Sequence, residues 1–466
     1  MKKKTIALTL TAMLAVGASI PTAVIAKPIE AGYQEALDQF DQKAIRKIDV
    51  DRIYNHIATL SEEPRVAGTD VENRAVDYLR EEFESYGYDV EVQPFTYTGY
   101  TEPTRIDLNV PGFDQGLNPG NFTYGVSGDV TAGLVDAGIG SPADFERVDA
   151  KGKIAVVQRG EFSFADKIVN ASEAGAAGVI IYNSGPGALN GTLGGHDDRL
   201  IPAVSLSHEQ GQALLKHVKA NAGSEARIVV EGAKTGEHVS HNVIATKHPT
   251  SKKKDTGEVI VIGSHMDSVP GAPGANDNAS GTSVTLELAR VMKDLPSDTE
   301  IRFASFGAEE LGLIGSHHYV NELSEEEKDQ IIANFNLDMV GSRDAGDLMV
   351  ASVDGEPNLV TELTHKSSKK LNGEPTTLGR SGSSDHVPFH QAGIPAALFI
   401  HSPLEPWYHT PQDTLDKISK EKLLDVAEIV AAAVYDRARF DNQHPKNKKR
   451  EETPVPKEAF YEQSIR

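Results

Sequence analysis

A chain of 466 residues is long enough for two domains of roughly 150 residues or more each. It contains no cysteine, so it cannot be a disulfide scaffold, it offers no thiol nucleophile, and any metal must be held by His, Asp and Glu. The formal net charge of -22 argues against nucleic acid as a partner, since a polyanion requires a basic surface.

Lys2-Lys3-Lys4, the apolar run Thr5 to Val16 and the small-residue stretch Ala23-Val24-Ile25-Ala26 read as a secretory signal peptide over residues 1–26, so the mature protein is expected outside the cell. That run is too short for a membrane span, and no later stretch reaches the ~18 apolar residues a span needs. Residues 27–46 are expected to form a loosely held arm. Ile48 to Leu60 and Val71 to Tyr86 carry helical periodicity, separated by the loop Pro64-Arg65-Val66-Ala67-Gly68-Thr69. Tyr88 to Tyr97 alternates as a strand, and the Pro/Gly/Asn-rich stretch from Tyr100 to Asn121 reads as a crossing between domains.

Residues 122–234 differ in texture. Short strands at Lys153 to Gln158 and Gly178 to Tyr182 flank an alanine-rich helix from Phe164 to Ala177. The runs from Gly152 to Gly160, Ala174 to Asn183 and Ile201 to Ser205 resemble the protease-associated domain, a small β-rich module inserted in many secreted and membrane peptidases as a lid or docking element. His196-Asp197-Asp198 within it reads as a solvated turn. After Gly236 strands and helices alternate again, with strands at Val243 to Thr246, Val259 to Ile262, Glu300 to Phe306, Ala333 to Asp338 and Ala396 to His401. The expected class is α/β, with a mixed, largely parallel central sheet flanked by helices. Leu423 to Arg439 is the last amphipathic helix, and residues 441–466, rich in Lys, Glu and Pro, are expected to form a flexible tail.

Chemistry-bearing residues follow the strands. Val259-Ile260-Val261-Ile262 runs into Gly263-Ser264-His265-Met266-Asp267-Ser268, which places His265 and Asp267 on one side of a strand end, where a carboxylate can orient an imidazole. Asp277 lies in the following loop, in Asn276-Asp277-Asn278-Ala279-Ser280-Gly281, ahead of a helix whose Val284, Leu288, Val291 and Leu295 share a face. Glu309 and Glu310 follow the third strand, Asp338 the fourth, and Tyr408-His409 the last. In an open α/β sheet the loops at the carboxyl ends of the strands meet in one crevice. A Glu-Glu pair alone is more often a helix N-terminus; the order of all the motifs together is what carries weight.

Those motifs resemble the di-zinc aminopeptidase family, which holds bacterial leucyl aminopeptidases, their Streptomyces-type relatives and the glutamate carboxypeptidases. The resemblance covers 47–121 and 235–440 as one discontinuous peptidase domain, and the inserted 122–234 matches a secreted Bacillus-type subgroup. It implies a zinc exopeptidase fold holding two zinc ions: His265 and Asp338 on one, Glu310 and His409 on the other, and Asp277 bridging. It further implies Glu309 as general base, Tyr408 as the oxyanion donor, and a cis peptide between Asp277 and Asn278. Imidazoles and carboxylates suit zinc, and three carboxylates nearly balance two divalent ions, so the cluster can be buried. Ser383-Ser384-Asp385-His386-Val387-Pro388-Phe389 also matches the family, with Asp385 and His386 expected to be structural.

The implied activity is removal of N-terminal residues, leucyl, basic or broad, from peptides with a free N-terminus; a monomer is the favoured state, which the sequence does not fix. Carboxypeptidase, dipeptidase and glutaminyl-cyclase chemistry are the alternatives within the family, and a non-catalytic binding protein is the alternative outside it. A helical zinc protease is excluded because His208-Glu209 is followed by Gln212, and a serine hydrolase because Gly379 to Ser383 lacks the nucleophile-elbow spacing. A carboxylate-rich site favours a substrate ammonium, whereas a substrate carboxylate would want arginines. Only Arg343 and Arg380 stand near the motifs.

Overall fold

The computed structural model describes residues 39–439; the expected signal peptide and the tail at 441–466 lie outside the described residues. Two sheets organise the chain. The first has eight strands: β1 (Asp89–Thr101), β8 (Lys234–Lys247), β10 (Glu300–Phe306), β9 (Val259–His265), β11 (Ile331–Leu337), β14 (Ala396–Ser402), β12 (Asp347–Ser352) and β13 (Thr377–Arg380), in that spatial order. Its four central strands, β10, β9, β11 and β14, are mutually parallel, and antiparallel pairings lie outside them. Every residue of β9 and β11 is buried; Val259–Ile262 reads as a solid apolar run, whereas β11 also buries Asn334 and Asn336. The chain leaves β9 for β10 on one side and returns to β11 on the other, so the order reverses between β9 and β11. Their carboxyl ends open at that point into one crevice.

The helix Ala279–Met292 packs on this sheet with every side chain buried except Arg290. Its sequence shows one apolar face. Burial on the remaining sides follows because the helices Val50–Leu60, Asp70–Tyr86 and Lys420–Ala438 close over it. The charged Glu287 tolerates this position by accepting the Asp49 N–H at 2.6 Å and pairing with Arg290 at 2.7 Å. Asp70–Tyr86 begins on Thr69, whose hydroxyl accepts the Glu72 N–H, and ends at Gly87 in the left-handed conformation (φ 81°).

The expected loose arm is corrected over its last residues: Gln39–Ile45 is a helix, packed against the final helix, with Ala44 buried in the main core and Ile45 and Ile48 against it. So few apolar residues carry no visible period alone; the final helix supplies the face that orders them.

The second sheet runs β2 (Arg105–Asn109), β7 (Glu225–Glu231), β3 (Gly128–Asp136), β4 (Ile154–Gln158), β5 (Gly178–Tyr182) and β6 (Ala203–Leu206). Alternate residues of β5 feed two cores: Val179 and Ile181 face the side of the helix Phe164–Glu173, and Ile180 and Tyr182 face Leu214 of the helix His208–Ala220. Strand β2 lies inside the stretch read as a crossing, yet it pairs along its length with β7. The sheets are joined by one long ribbon, in which β1 and β8 pair from Asp89↔Thr246 to Thr101↔Lys234. No helix of the described residues is long and apolar enough to cross a membrane.

Candidate metal centre

Each parallel strand delivers one part of the site. His265 is the last residue of β9, Glu309 and Glu310 follow β10 by a turn, Asp338 follows β11 directly, and His409 lies in the loop after β14. His265 Nε2 is 3.3 Å from Asp277 Oδ1 and 3.3 Å from Asp338 Oδ1, and 3.9 Å from Glu309 Oε2. His409 Nε2 is 3.1 Å from Asp277 Oδ2 and 3.0 Å from Glu310 Oε2. Asp277 thus turns one carboxylate oxygen to each imidazole. Ligand-capable atoms of His265, Asp277 and Asp338 lie within 4.8 Å of one another, as do those of Asp277, Glu310 and His409.

The loop that carries Asp277 is held on every side. Asp413 accepts the N–H groups of Asn276 and Asp277 at 2.8 and 3.0 Å. Asn276 donates to Glu405 Oε1 at 2.7 Å and accepts the Gly341 N–H at 2.8 Å. Asn278 donates to the Leu337 carbonyl at 2.9 Å and accepts the N–H groups of Gly281 and Met339 at 2.9 and 3.3 Å. The peptide between Asp277 and Asn278 is cis, as the resemblance implies. Asp267, expected to orient His265, has Oδ1 3.5 Å from Nδ1, too far for a good hydrogen bond. Its two oxygens instead accept the N–H groups of Glu309 and Glu310 at 3.1 and 3.2 Å and fix that turn.

Asp413, Glu405 and the flanking asparagines, together with Arg65, were not assigned to the site from the sequence. Asp413 stood in the same run as His409, but its partners lie 136 or more residues away in the chain, and no local period marks such a pair. Asp385 is buried at the start of the short helix His386–Gln391, and His386 Nε2 is 2.9 Å from the Ser381 carbonyl. Tyr408 stacks on His409, with ring centroids 3.7 Å apart. Arg343 pairs with Asp344 at 3.6 Å, and Arg380 donates to the Val353 carbonyl at 3.3 Å.

The cluster is electrostatically strained toward cations. Burial and then the Asp277 charge push Glu310 up to about 7, and burial carries Glu309 well above the carboxylate range. Burial opposes a proton on His409, but hydrogen bonds to Asp277 and Glu310 outweigh it and push the imidazole up to about 10. Burial likewise opposes, and Glu309 and Asp338 favour, the proton that raises His265. Asp277 resists burial through the same two imidazoles and is held below its ordinary value. A divalent cation meets this demand better than protons do, since it binds neutral imidazole and ionised carboxylate together. Burial and then the surrounding carboxylates raise the Tyr408 hydroxyl, so it remains a donor.

A model described as peptidase family M28 matches residues 242–434, and a PA-domain model matches 126–214. Aminopeptidase YwaD of Bacillus subtilis (strain 168) is 41% identical over 409 residues, 85% of this chain and 87% of that protein. The chain belongs to peptidase family M28. Among solved structures, an aminopeptidase from Aneurinibacillus sp. strain AM-1 is 51% identical with a TM-score of 0.70, covering 89% of this chain and 98% of that one. BSAP, a zinc aminopeptidase from Bacillus subtilis, is 40% identical with a TM-score of 0.68, covering 84% and 96%. The mixed sheet with its crevice at the β9–β11 switch point is thus the M28 fold with a PA domain inserted between β1 and β8.

Proposed function

We propose that this M28 peptidase is a secreted aminopeptidase that holds two zinc ions and removes N-terminal residues from peptides. The observation that carries the reading is the carboxylate of Asp277, which presents one oxygen toward His265 and the other toward His409. His265 and Asp338 would hold one ion, Glu310 and His409 the other, with Asp277 shared. Two imidazoles among carboxylates favour zinc over magnesium. Relatives named as aminopeptidases, one of them a zinc aminopeptidase, support the same choice. Secretion rests on the charged and apolar pattern of residues 1–26.

Bound zinc supplies Lewis acidity, polarising the scissile carbonyl and acidifying the attacking water. Glu309, whose Oε2 stands 3.9 Å from His265 Nε2, farther than Asp277 and Asp338, takes the water proton on its carboxylate and passes it to the leaving amine. Tyr408, which keeps its hydroxyl proton, donates to the oxygen on which charge develops. A substrate's α-ammonium would find carboxylates in Glu309 and Asp338, both beside His265. A carboxypeptidase would need a guanidinium aimed at the metal ligands, and among the described residues none of the contacts of Arg343 or Arg380 is to one of them: Arg343 lies beside Asp344, and Arg380 Nε donates to the Val353 carbonyl.

Acetylating the N-terminus of a good peptide substrate should abolish cleavage, and amidating its C-terminus should leave the rate nearly unchanged. The reverse pattern would make the protein a carboxypeptidase. Elemental analysis should find two zinc ions per chain; a chain that binds none would not be a metallopeptidase.

A further inference from the structure

Arg65 lies between the helices Val50–Leu60 and Asp70–Tyr86, is 1% exposed, and turns its guanidinium into the loop that joins His265 to Asp277. Nε donates to the Met266 carbonyl at 2.7 Å, Nη1 to Pro273 at 2.7 Å and to Leu60 at 2.5 Å, and Nη2 to Gly274 at 2.9 Å. Its own backbone joins the same loop: the Arg65 N–H donates to Ser268 Oγ at 3.0 Å, and the Ser268 N–H donates to the Arg65 carbonyl at 3.2 Å. Met266 and Ser268 open the loop beside His265 and Asp267; Pro273 and Gly274 close it just before Asp277. One planar fork therefore pins both ends of the connection, a task suited to guanidinium because its donors diverge in a fixed plane.

The acceptors are neutral, so the buried charge is balanced at longer range. Burial lowers the guanidinium to about 10, opposed first by Asp267 and then by Asp413, Asp277 and Glu310, and it stays protonated at neutral pH. These are the carboxylates that line or support the candidate metal centre.

We propose that Arg65 is a positioning residue that preorganises the metal centre, setting the separation of His265 and Asp277 before any ion binds and offsetting the carboxylate charge around them. The proposal rests on the reading of His265 and Asp277 as zinc ligands. A loop held in advance spares the ion the cost of ordering it, so removing the fork weakens metal binding even where the fold survives.

The test uses the full chain. Arg65→Lys keeps the charge but offers a single ammonium that cannot reach Met266, Pro273 and Gly274 together; Arg65→Met removes charge and fork while keeping an apolar stem. Zinc affinity, measured by chelator competition on metal-stripped protein of native circular dichroism, should fall about 10- to 100-fold in Arg65→Lys and further in Arg65→Met. Turnover should fall with KM nearly unchanged, and excess zinc should restore it in Arg65→Lys. Wild-type zinc affinity in either folded variant overturns the proposal, whatever its melting temperature. Should both variants fail to fold, hydrogen exchange on the metal-stripped wild-type chain decides. Peptides covering 266–274 should keep the protection they have in the zinc-loaded protein, and loss of that protection on stripping would mean that the ion, not Arg65, orders the loop. A wild-type chain that binds no zinc at all would instead refute the functional reading itself.

Discussion

Glu309 and Glu310 are neighbours in the chain whose backbone N–H groups share one acceptor, Asp267, yet their side chains diverge. Glu310 Oε2 meets His409 at 3.0 Å, whereas Glu309 Oε2 stands 3.9 Å from His265. Glu309→Gln should retain zinc and the fold and lose about 10²- to 10⁴-fold in kcat, the usual share of a general base. Glu310→Gln should release zinc at chelator concentrations that leave the parent protein loaded. Loss of zinc from folded Glu309→Gln would exchange the two roles. A third carboxylate, Glu72, is buried behind the site, accepting the Ser240 hydroxyl and the Gly68 N–H, each at 2.6 Å. Burial and then the Asp267 charge push it up to about 8 from an ordinary 4.5. A raised folded-state value means that the native protein holds this proton more tightly than the unfolded chain. Its contribution is therefore full below pH 4.5 and is lost as pH rises through 8. Glu72→Gln should flatten that part of the stability profile, a difference of up to about 3 kcal/mol at neutral pH. Melting curves of parent and variant that stay parallel across this window would show Glu72 to be ionised in the native state.

At the scale of elements, the site depends on how closely the start of the helix Ala279–Met292 approaches the end of β11. The two asparagines flanking Asp277 bind residues on either side of Asp338, so the bridging carboxylate and Asp338 are placed by one set of hydrogen bonds. Gly281 makes the approach possible: a Cβ there would lie 2.1 Å from the Leu337 carbonyl oxygen. Backbone on both sides cannot give way cheaply, so Gly281→Ala should destabilise the protein by about 1–3 kcal/mol, as overpacking does. The same shift would move Asp277 away from Asp338, so zinc affinity should fall with stability. Chemical denaturation that shows no change in midpoint would mean that the helix start has slack.

For the whole molecule, the feature to test is the ribbon of β1 and β8, through which the chain enters and leaves the inserted domain. Excision at 122–234 would strand β2, which pairs with β7 in the second sheet, as an unpaired edge. Excision of 102–233 instead ends the cut at the paired residues Thr101 and Lys234, which an Asn-Gly turn can join as a hairpin. The shortened chain should fold, bind zinc and cleave dipeptide-sized substrates at a rate near that of the parent. If the inserted domain walls the crevice, the parent should discriminate against long or folded substrates and the shortened chain should not. Equal preference for substrate length in both proteins would remove the lid role.

The apolar-rich strands β9, β10, β11 and β14 and the polar residues at their carboxyl ends were legible because both signals are local. A buried parallel strand is mostly apolar along its length, and the residue that leaves it faces the crevice. The helix Gln39–Ile45 was not legible, since its order comes from a face presented by the far end of the chain. Nor were the backbone partners of Asp267: its place two residues from His265 suggested an imidazole, which lies 3.5 Å away, and the fold adds two backbone N–H groups more than 40 residues on. Arg65 and Asp413 are the sharpest cases. In sequence one is a polar residue in a loop and the other a polar residue in a turn. Only the packed structure closes water away from them and leaves backbone carbonyls and N–H groups as their hydrogen-bond partners. Residue types and strand ends are decided locally along the chain, but which buried polar group answers which is decided by the removal of water, and that happens only in the folded molecule.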